Sequence, residues 1–141
     1  MVDRPLLASR VAAVRDAVAR IRDVLPPDPA AFLADRTARE IVVLNLFVGV
    51  QECVALASHW LADEGWSVPS EYRALFRTLA EHGVIAAVLA ERLGAAAGLR
   101  NLVAHRYGIL DWERIYAIAE EDLEDLLAFC EALVTRADES G

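Results

Sequence analysis

The sequence predicts an all-α protein, an antiparallel bundle of four long helices with one short helix. The hydrophobic fraction is 56%, with only seven glycines and five prolines, which favours long regular elements. Apolar residues recur every three or four positions along most of the chain, and no stretch alternates as a strand does. The 141 residues are predicted to form a single domain, 1–141, with a sizeable core.

The first helix is predicted over residues 3–24, where leucine, valine and isoleucine recur at helical spacing. Pro26 and Pro27 end this pattern, because proline cannot continue a helix. Asp28 is a suitable N-cap for the next segment, with Pro29 at its first helical position.

The second long helix is predicted over residues 35–63 and is apolar on nearly every side. Such a helix lies at the centre of a bundle or in a surface shared with a second copy. Asn45, Glu52 and His59 are seven residues apart and form one narrow polar stripe, and His59, in the middle of the helix, is expected to be buried. These side chains could form hydrogen bonds with one another or with other buried groups. Alternatively, Glu52 could orient an arginine at a functional site. A carboxylate at this position would be costly in lipid, so no membrane span is expected.

A short helix is predicted to open at Pro69 and to end at Gly83. The next long helix is predicted over residues 86–105. Gly94 and Gly98 lie in it, separated by three alanines, and form a thin strip that another helix can approach closely.

The last helix is predicted to begin after Asp111, which is a good N-cap. Residues 111–141 hold ten acidic residues and two arginines, whereas residues 1–110 hold twelve of each. The net charge of −8 therefore comes wholly from the C-terminal segment, and RNA remains a possible ligand of the rest. This acidic helix is either a docking face for a basic partner or a solvated face.

Cys53 and Cys130 are too few for a disulfide framework or a zinc site and are predicted to be buried thiols. No apolar signal region follows the first residues, and a cytoplasmic protein is expected. The histidines and cysteines show no metal-ligand spacing, and no phosphate-binding glycine loop or Gly-x-Ser-x-Gly elbow occurs. Neither a metal nor a cofactor is predicted.

The segment most suited to chemistry is "LRNLVAHRYG", residues 99–108. Asn101 and His105 are four apart and share a helical face, Arg100 is adjacent, and Tyr107 lies where the chain leaves the helix. An arginine fork binds phosphate, a histidine transfers protons near neutral pH, and a tyrosine hydroxyl holds a phosphate oxygen or acts as a nucleophile. These side chains suit RNA phosphodiester chemistry. They are also ordinary at a helix C-terminus, where the dipole favours basic residues.

The stretch "LRNLVAHRYGILDWERIYAIAEEDLEDLLAFCEAL" resembles the C-terminal half of HepT-type proteins of the HEPN superfamily. The family mark is Arg, four to six residues, His, one residue and Tyr, and an Asn after the Arg is also typical. The upstream segments "FVGVQECVALASHWLADEG" and "VPSEYRALFRTLAEHGVIAAVLAERL" resemble the family too, so the likeness covers about residues 35–135. One departure is "GAAAGLRN", where relatives often carry bulkier residues.

The resemblance implies a HEPN-type bundle that forms a homodimer with the motif at the cleft between the copies. It implies a metal-independent endoribonuclease, the toxin of a type II or type VII-like toxin–antitoxin pair. The implied partners are RNA and a minimal nucleotidyltransferase (MNT) antitoxin that can add AMP to Tyr107. By this likeness Arg100 and His105 are catalytic, and Asn101 and Tyr107 support them by binding phosphate.

Two alternatives use the same residues differently. The first is a HEPN dimer that binds RNA or a nucleotide through Arg100 and Tyr107 without cutting it. The second is a dimerisation partner for a nucleotidyltransferase, for which substitutions at Arg100 and His105 would affect stability alone. His105 favours the enzyme, because a pure binding module has no need of that side chain.

Overall fold

The computed structural model describes the backbone of residues 2–106 and 110–140, and the side chains of residues 2–98 and 110–139. All regular structure in these ranges is helical, which confirms the predicted all-α class. The helices in chain order are α1 (Arg4–Val24), α2 (Pro29–Ala34), α3 (Arg36–Asp63), α4 (Tyr72–Glu81), α5 (Ala87–Arg106), α6 (Trp112–Glu121) and α7 (Leu123–Ser140).

Aspartates determine where four of these helices begin. The carboxylate of each N-cap accepts a hydrogen bond from the backbone N–H three residues later, at donor–acceptor distances of 2.9–3.2 Å. These residues are Asp3, Asp28, Asp35 and Asp111. Each such cap stabilises its helix by about 1 kcal/mol relative to alanine. The predicted starts at Asp28 and Asp111 are confirmed.

Helices α1 and α3 are antiparallel neighbours. The backbone N–H of Asp3 donates to Oδ2 of Asp63 at 3.3 Å, so the start of α1 lies beside the end of α3. Their contact extends along the bundle and includes Ala17, whose Cβ lies 3.8 Å from where a Cβ on Gly49 would stand. Any residue larger than glycine at position 49 would also come within 3.3 Å of Leu126 of α7. Gly49 therefore lets three helices meet closely.

Helix α7 is antiparallel to α1. Arg4 at the start of α1 pairs with Asp138 near the end of α7, and Arg22 near the end of α1 pairs with Glu124 at the start of α7. We call the end of the bundle with Arg4 and Asp138 the terminal end. The opposite end, where α1 finishes and α5 reaches its last turn, is called the motif end.

The two cysteines lie one turn beyond the contact of Gly49 with α7. Cys53 and Cys130 are both free and buried, as predicted. Their side chains are hydrogen-bonded to each other, and this bond together with burial raises the pKa of the Cys53 thiol well above its ordinary value. The Cys53 thiol therefore stays protonated at neutral pH, and both side chains pack as core.

The predicted single last helix is in fact two, and the helix count of the prediction was wrong there. The break falls at Asp122, whose N–H still donates to the carbonyl of Ile118 at 2.8 Å. Acidic residues crowd the break, at positions 120, 121, 122, 124 and 125. A continuous helix would place like charges four residues apart, whereas a new helix start favours acids in its first turn. The charge run thus favours two helices.

The short helix α4 begins three residues later than predicted, at Tyr72, and its C-cap is His82. Gly83 follows in the left-handed region at φ 74°, which glycine adopts without strain. The ring of His82 stacks on Trp66 of the α3–α4 connection, with ring centroids 3.8 Å apart. This stack fixes the connection against the end of α4.

Helix α3 is the core helix of the bundle. By length and composition alone it could cross a membrane, but half of its most apolar window is buried inside the bundle. Its exposed side has Leu44 at 60% exposure, with Ile41 and Val48 half-buried one turn before and after it. The prediction of a central helix is confirmed, with one apolar stripe left at the surface.

The polar stripe on α3 does not form an internal network. Asn45 donates from Nδ2 to the carbonyl of Ile41 in its own helix at 2.8 Å. His59, which was expected to be buried, is exposed near the terminal end. An all-apolar helix gives no periodic signal of which side faces water, and the prediction for His59 was wrong for that reason.

Candidate functional site

The motif residues Arg100, Asn101 and His105 lie in the last two turns of α5, as the sequence predicted. Their side chains are outside the described part of the chain, and Tyr107 lies outside the described residues altogether. In the helical register of α5, positions 94, 98, 101 and 105 follow one face, because offsets of four, seven and eleven complete whole turns. The glycines and two motif positions therefore share that face.

Helix α4 runs antiparallel to the first half of α5 and crosses it at Gly94. A Cβ on Gly94 would stand 2.8 Å from Cγ and 3.5 Å from Cβ of Arg73, closer than real side chains approach. The glycine strip predicted from the sequence is therefore used by α4 at this position. A Cβ on Gly98 would meet no atom of the described residues within 4 Å. The cover from α4 thus ends before the motif half of α5.

Two arginines of α4 lie on the surface beside this crossing. Arg73 and Arg77 of α4 both approach the one carboxylate of Glu91, at N–O distances of 3.9 and 3.7 Å. Both guanidiniums are about half exposed. One negative charge thus faces two positive charges, and both pairs are long and solvated.

Leu110, on the C-terminal side of the motif, is buried. The next helix begins with Trp112, whose ring meets Phe32 of α2 edge-on at 6.2 Å between centroids. The guanidinium of Arg39 lies over the same ring, and its Nη1 donates to the carbonyl of Leu33 at 2.6 Å. Helix α6 is thereby attached to α2 and to the start of α3.

A second contact joins α6 to the end of α1. The hydroxyl of Tyr116 donates to the carbonyl of Pro26 at 2.8 Å, and its ring lies 5.3 Å from that of Phe32. The α1–α2 connection and α6 thus form one packed unit at the motif end. Helix α6, on the C-terminal side of the motif, is thus attached to α2, to the start of α3 and to the end of α1.

Glu52 has a partner within the bundle. Its Oε2 accepts from Nη1 of Arg10 on α1 at 2.8 Å, and each side chain is about one-quarter exposed. An orienting role toward the motif stays a prediction for Glu52, since the described side chains include none of the motif. A pair that is partly shielded from water holds α1 against α3 more firmly than a surface pair does.

Sequence reasoning missed three residues that shape this region, Arg39, Arg73 and Trp112. No local signal distinguishes Arg73 from the other exposed arginines, because its position depends on where α4 crosses α5. The signal that could have been used is Gly94, since a glycine inside a helix often marks a close approach. Among the side chains of residues 2–98 and 110–139, no group of three or more histidine, cysteine or acidic residues could hold a metal ion.

A family model described as ribonuclease HepT-like matches residues 14–133, from the middle of α1 to α7. The chain belongs to the HepT-like ribonuclease family. Among curated relatives of this family, the chain is 27% identical over 128 residues to a protein named mRNA nuclease HepT from Shewanella oneidensis. That match covers 91% of this chain and 96% of the relative. A putative RNase of Archaeoglobus fulgidus is 33% identical over 88 residues, 62% of this chain and 66% of that protein.

Solved structures of HepT-like proteins share the fold. A tri-AMPylated Shewanella oneidensis HEPN toxin, solved in complex with an MNT antitoxin, superposes with a TM-score of 0.86 at 26% identity. The superposition covers 94% of this chain and 99% of that one. The resemblance predicted from the motif and its flanks is confirmed, and with it the HEPN-type bundle.

Proposed function

We propose that this HepT-like protein is the toxin of a toxin–antitoxin pair and cuts RNA internally without a metal ion. The observation that carries the proposal is the family match across residues 14–133, which includes the whole Arg100–His105–Tyr107 motif. The related Shewanella protein is named an mRNA nuclease, and its solved form is a toxin bound to an antitoxin. We place the activity in the cytoplasm, because thiols such as those of Cys53 and Cys130 stay reduced there.

The motif supplies the groups that such a cleavage needs. His105 takes the proton from a ribose 2′-hydroxyl, and the 2′-oxygen attacks the adjacent phosphorus. The bond to the 5′-oxygen breaks, that oxygen takes a proton from water, and a 2′,3′-cyclic phosphate is left on the other fragment. Arg100 binds the scissile phosphate and stabilises the charge that builds on it. Asn101 and Tyr107 hold the phosphate oxygens in line. A positioned acid or base contributes on the order of 10²–10⁴-fold to such a rate.

We propose that the active form is a homodimer. The apolar stripe of Ile41, Leu44 and Val48 lies on the part of α3 nearer the motif end, where Leu44 is exposed and its two neighbours are only half-buried. A second copy seated there would remove this apolar surface from water. Two motifs would then face one RNA strand across the interface.

The proposed antitoxin is a nucleotidyltransferase that adenylylates Tyr107. The Tyr107 oxygen attacks the α-phosphorus of ATP, pyrophosphate leaves, and the phenol proton passes to a base. The product carries a bulky nucleotide and one new negative charge in the cleft, which repels RNA phosphate. The AMP groups on the related toxin support this step. The acidic surface of α6 and α7 is the proposed docking face for a basic partner.

The test is cleavage of total RNA and of tRNA by purified protein in the presence of EDTA. Wild-type protein is compared with Arg100→Ala and His105→Ala, and its intact mass is measured to exclude adenylylated material. His59→Ala is the matched control, because His59 is an exposed histidine at the terminal end. Cleavage that survives EDTA and is lost in both motif variants, but not in the control, supports the proposal. Unmodified wild-type protein that binds RNA without cutting it would make the chain a binding module.

A further inference from the structure

Because Gly94 has no side chain, the aliphatic part of Arg73 packs directly against the backbone of α5. The Cβ, Cγ and Cα atoms of Arg73 all lie within 3.6 Å of the position that a Cβ on Gly94 would occupy. The stem of the arginine therefore lies across α5, while the side chain as a whole remains 45% exposed. Such a contact fixes a long side chain that would otherwise be free on the surface.

The face of α5 that Arg73 touches leads to the motif. Positions 98, 101 and 105 follow Gly94 on this face. At 1.5 Å per residue, Asn101 lies about 10 Å and His105 about 16 Å further along the helix axis than Gly94. An extended single strand covers that distance with a few nucleotides. Between the two points Gly98 presents bare backbone, with no described atom near its missing Cβ.

The charge on Arg73 is available to a ligand. Its ion pair with Glu91 is long, at 3.9 Å, and both side chains are exposed. Exposed pairs of this kind are weak and are easily exchanged for another anion. Arg77 reaches the same carboxylate at 3.7 Å, so Glu91 keeps a partner when Arg73 turns to a phosphate. A guanidinium binds a phosphate through two parallel hydrogen bonds.

We propose that Arg73 binds a phosphate of the RNA a few nucleotides away from the bond that is cut, and that the strand passes over Gly98 between them. The proposal rests on the proposed ribonuclease function and extends its binding surface from α5 to α4. An RNA strand fits this surface better than a second protein copy does. Two exposed arginines, Arg73 and Arg77, lie on it beside the small alanines of the α4–α5 groove, whereas the stripe of large apolar side chains around Leu44 lies on α3.

The first test measures binding of a fluorescently labelled single-stranded RNA to the His105→Ala protein, which binds without cutting. Adding Arg73→Ala is expected to weaken binding about five- to fiftyfold at low salt. It should also reduce the slope of log K against log salt by about 0.7, the value for one lost phosphate contact on a single strand. Arg20→Ala, an exposed arginine on α1, is the matched control and should change neither quantity.

The second test separates binding from chemistry in the active protein. Arg73→Ala is expected to raise KM by the same factor and to change kcat less than twofold, with Arg73→Lys in between. If Arg73→Ala binds and cleaves as the Arg20→Ala control does, the proposal for Arg73 is overturned while the ribonuclease stands. If the wild-type protein never cleaves but Arg73→Ala still weakens RNA binding, Arg73 is supported and the nuclease activity is refuted.

A third variant tests the path over Gly98 without altering charge. Gly98→Leu introduces a side chain where the described structure has open space, so the fold is expected to survive. We expect RNA binding to fall about tenfold while the oligomeric state stays unchanged. A variant that becomes monomeric but binds RNA normally would assign this surface to a second copy and would overturn the proposal.

Discussion

The guanidinium of Arg39 lies 5.4 Å from the centre of the Trp112 ring, at the first residue of α6. A cation over an indole face contributes about 0.5–2 kcal/mol, depending on how dry the contact is. Trp112 is five residues after Tyr107, so this contact attaches the chain that leaves the motif to the start of α3. The motif is thereby tied to the core helix through α6 as well as through α5.

We therefore expect Trp112→Ala to reduce RNA cleavage more than its effect on folding explains. Loss of a half-buried tryptophan should lower the free energy of unfolding by about 2–3 kcal/mol. Urea unfolding gives that value, and cleavage is then measured well below the unfolding midpoint. Trp66→Ala is the matched control, because Trp66 stacks on His82 away from the motif. Equal cleavage by the two folded variants would show that the Arg39–Trp112 contact serves stability alone.

The two glycines of α5 should respond in opposite ways to alanine. Gly98→Ala is expected to stabilise the protein by about 0.5–1 kcal/mol, because alanine favours helix and its Cβ meets no described atom. Gly94→Ala gains the same helix propensity but forces Arg73 away, with a net loss of about 1–3 kcal/mol. Thermal unfolding of both variants measures the difference. A stabilising Gly94→Ala would mean that α4 can shift at little cost.

Leu44 is expected to be required for dimer formation and dispensable for folding. Its side chain is 60% exposed, so Leu44→Glu should leave helix content and unfolding unchanged within about 0.5 kcal/mol. Sedimentation velocity should show a monomer at micromolar concentration. Val88→Glu is the control, since Val88 is 69% exposed at the start of α5. A dimer that persists in Leu44→Glu would place the interface elsewhere.

Asp122 makes a pH-dependent contribution to stability. Burial raises its pKa, the nearby Asp125 raises it further, and Arg92 opposes the shift. A raised pKa in the folded state means that the charged carboxylate costs stability at neutral pH. The cost disappears as the pH falls through the folded pKa towards the ordinary aspartate value.

Asp122→Asn should therefore raise the melting temperature at pH 7, and its advantage over wild type should shrink steadily as the pH approaches 4. Thermal scans between these values measure the effect. Asp16→Asn, at an exposed position on α1, controls for the change in net charge. If the advantage of Asp122→Asn does not change with pH, the effect comes from helix capping and not from the ionisation of Asp122.

The sequence was most informative where local chemistry decides the structure. Asp28 with Pro29 marked the start of a helix, and Asp111 marked another, because a carboxylate can satisfy free N–H groups without help from the rest of the fold. The apolar run of α3 likewise predicted the core helix. The motif residues were found through their order and spacing, and the helical backbone of Arg100, Asn101 and His105 was predicted correctly.

Features that depend on how helices meet could not be read from the sequence. The crossing of α4 over Gly94 selects Arg73 among many arginines, and only the bundle geometry determines that register. His59 could not be assigned to water or core, since α3 is apolar on most sides. The break at Asp122 was missed because apolar residues continue with helical spacing across it, although the acidic run favours two helix ends there.

The pairing of Arg4 with Asp138 has a practical consequence for handling the molecule. The start of α1 and the end of α7 therefore lie side by side at the terminal end. Helix α5 begins near that end and is roughly 30 Å long, so the motif lies about 30 Å away from it. A tag, a dye or a surface tether attached before α1 or after α7 would leave the motif end accessible to RNA. The same proximity allows the two ends to be joined by a short linker and the chain to be reopened at the exposed Gly65, giving a permuted protein with its motif unaltered.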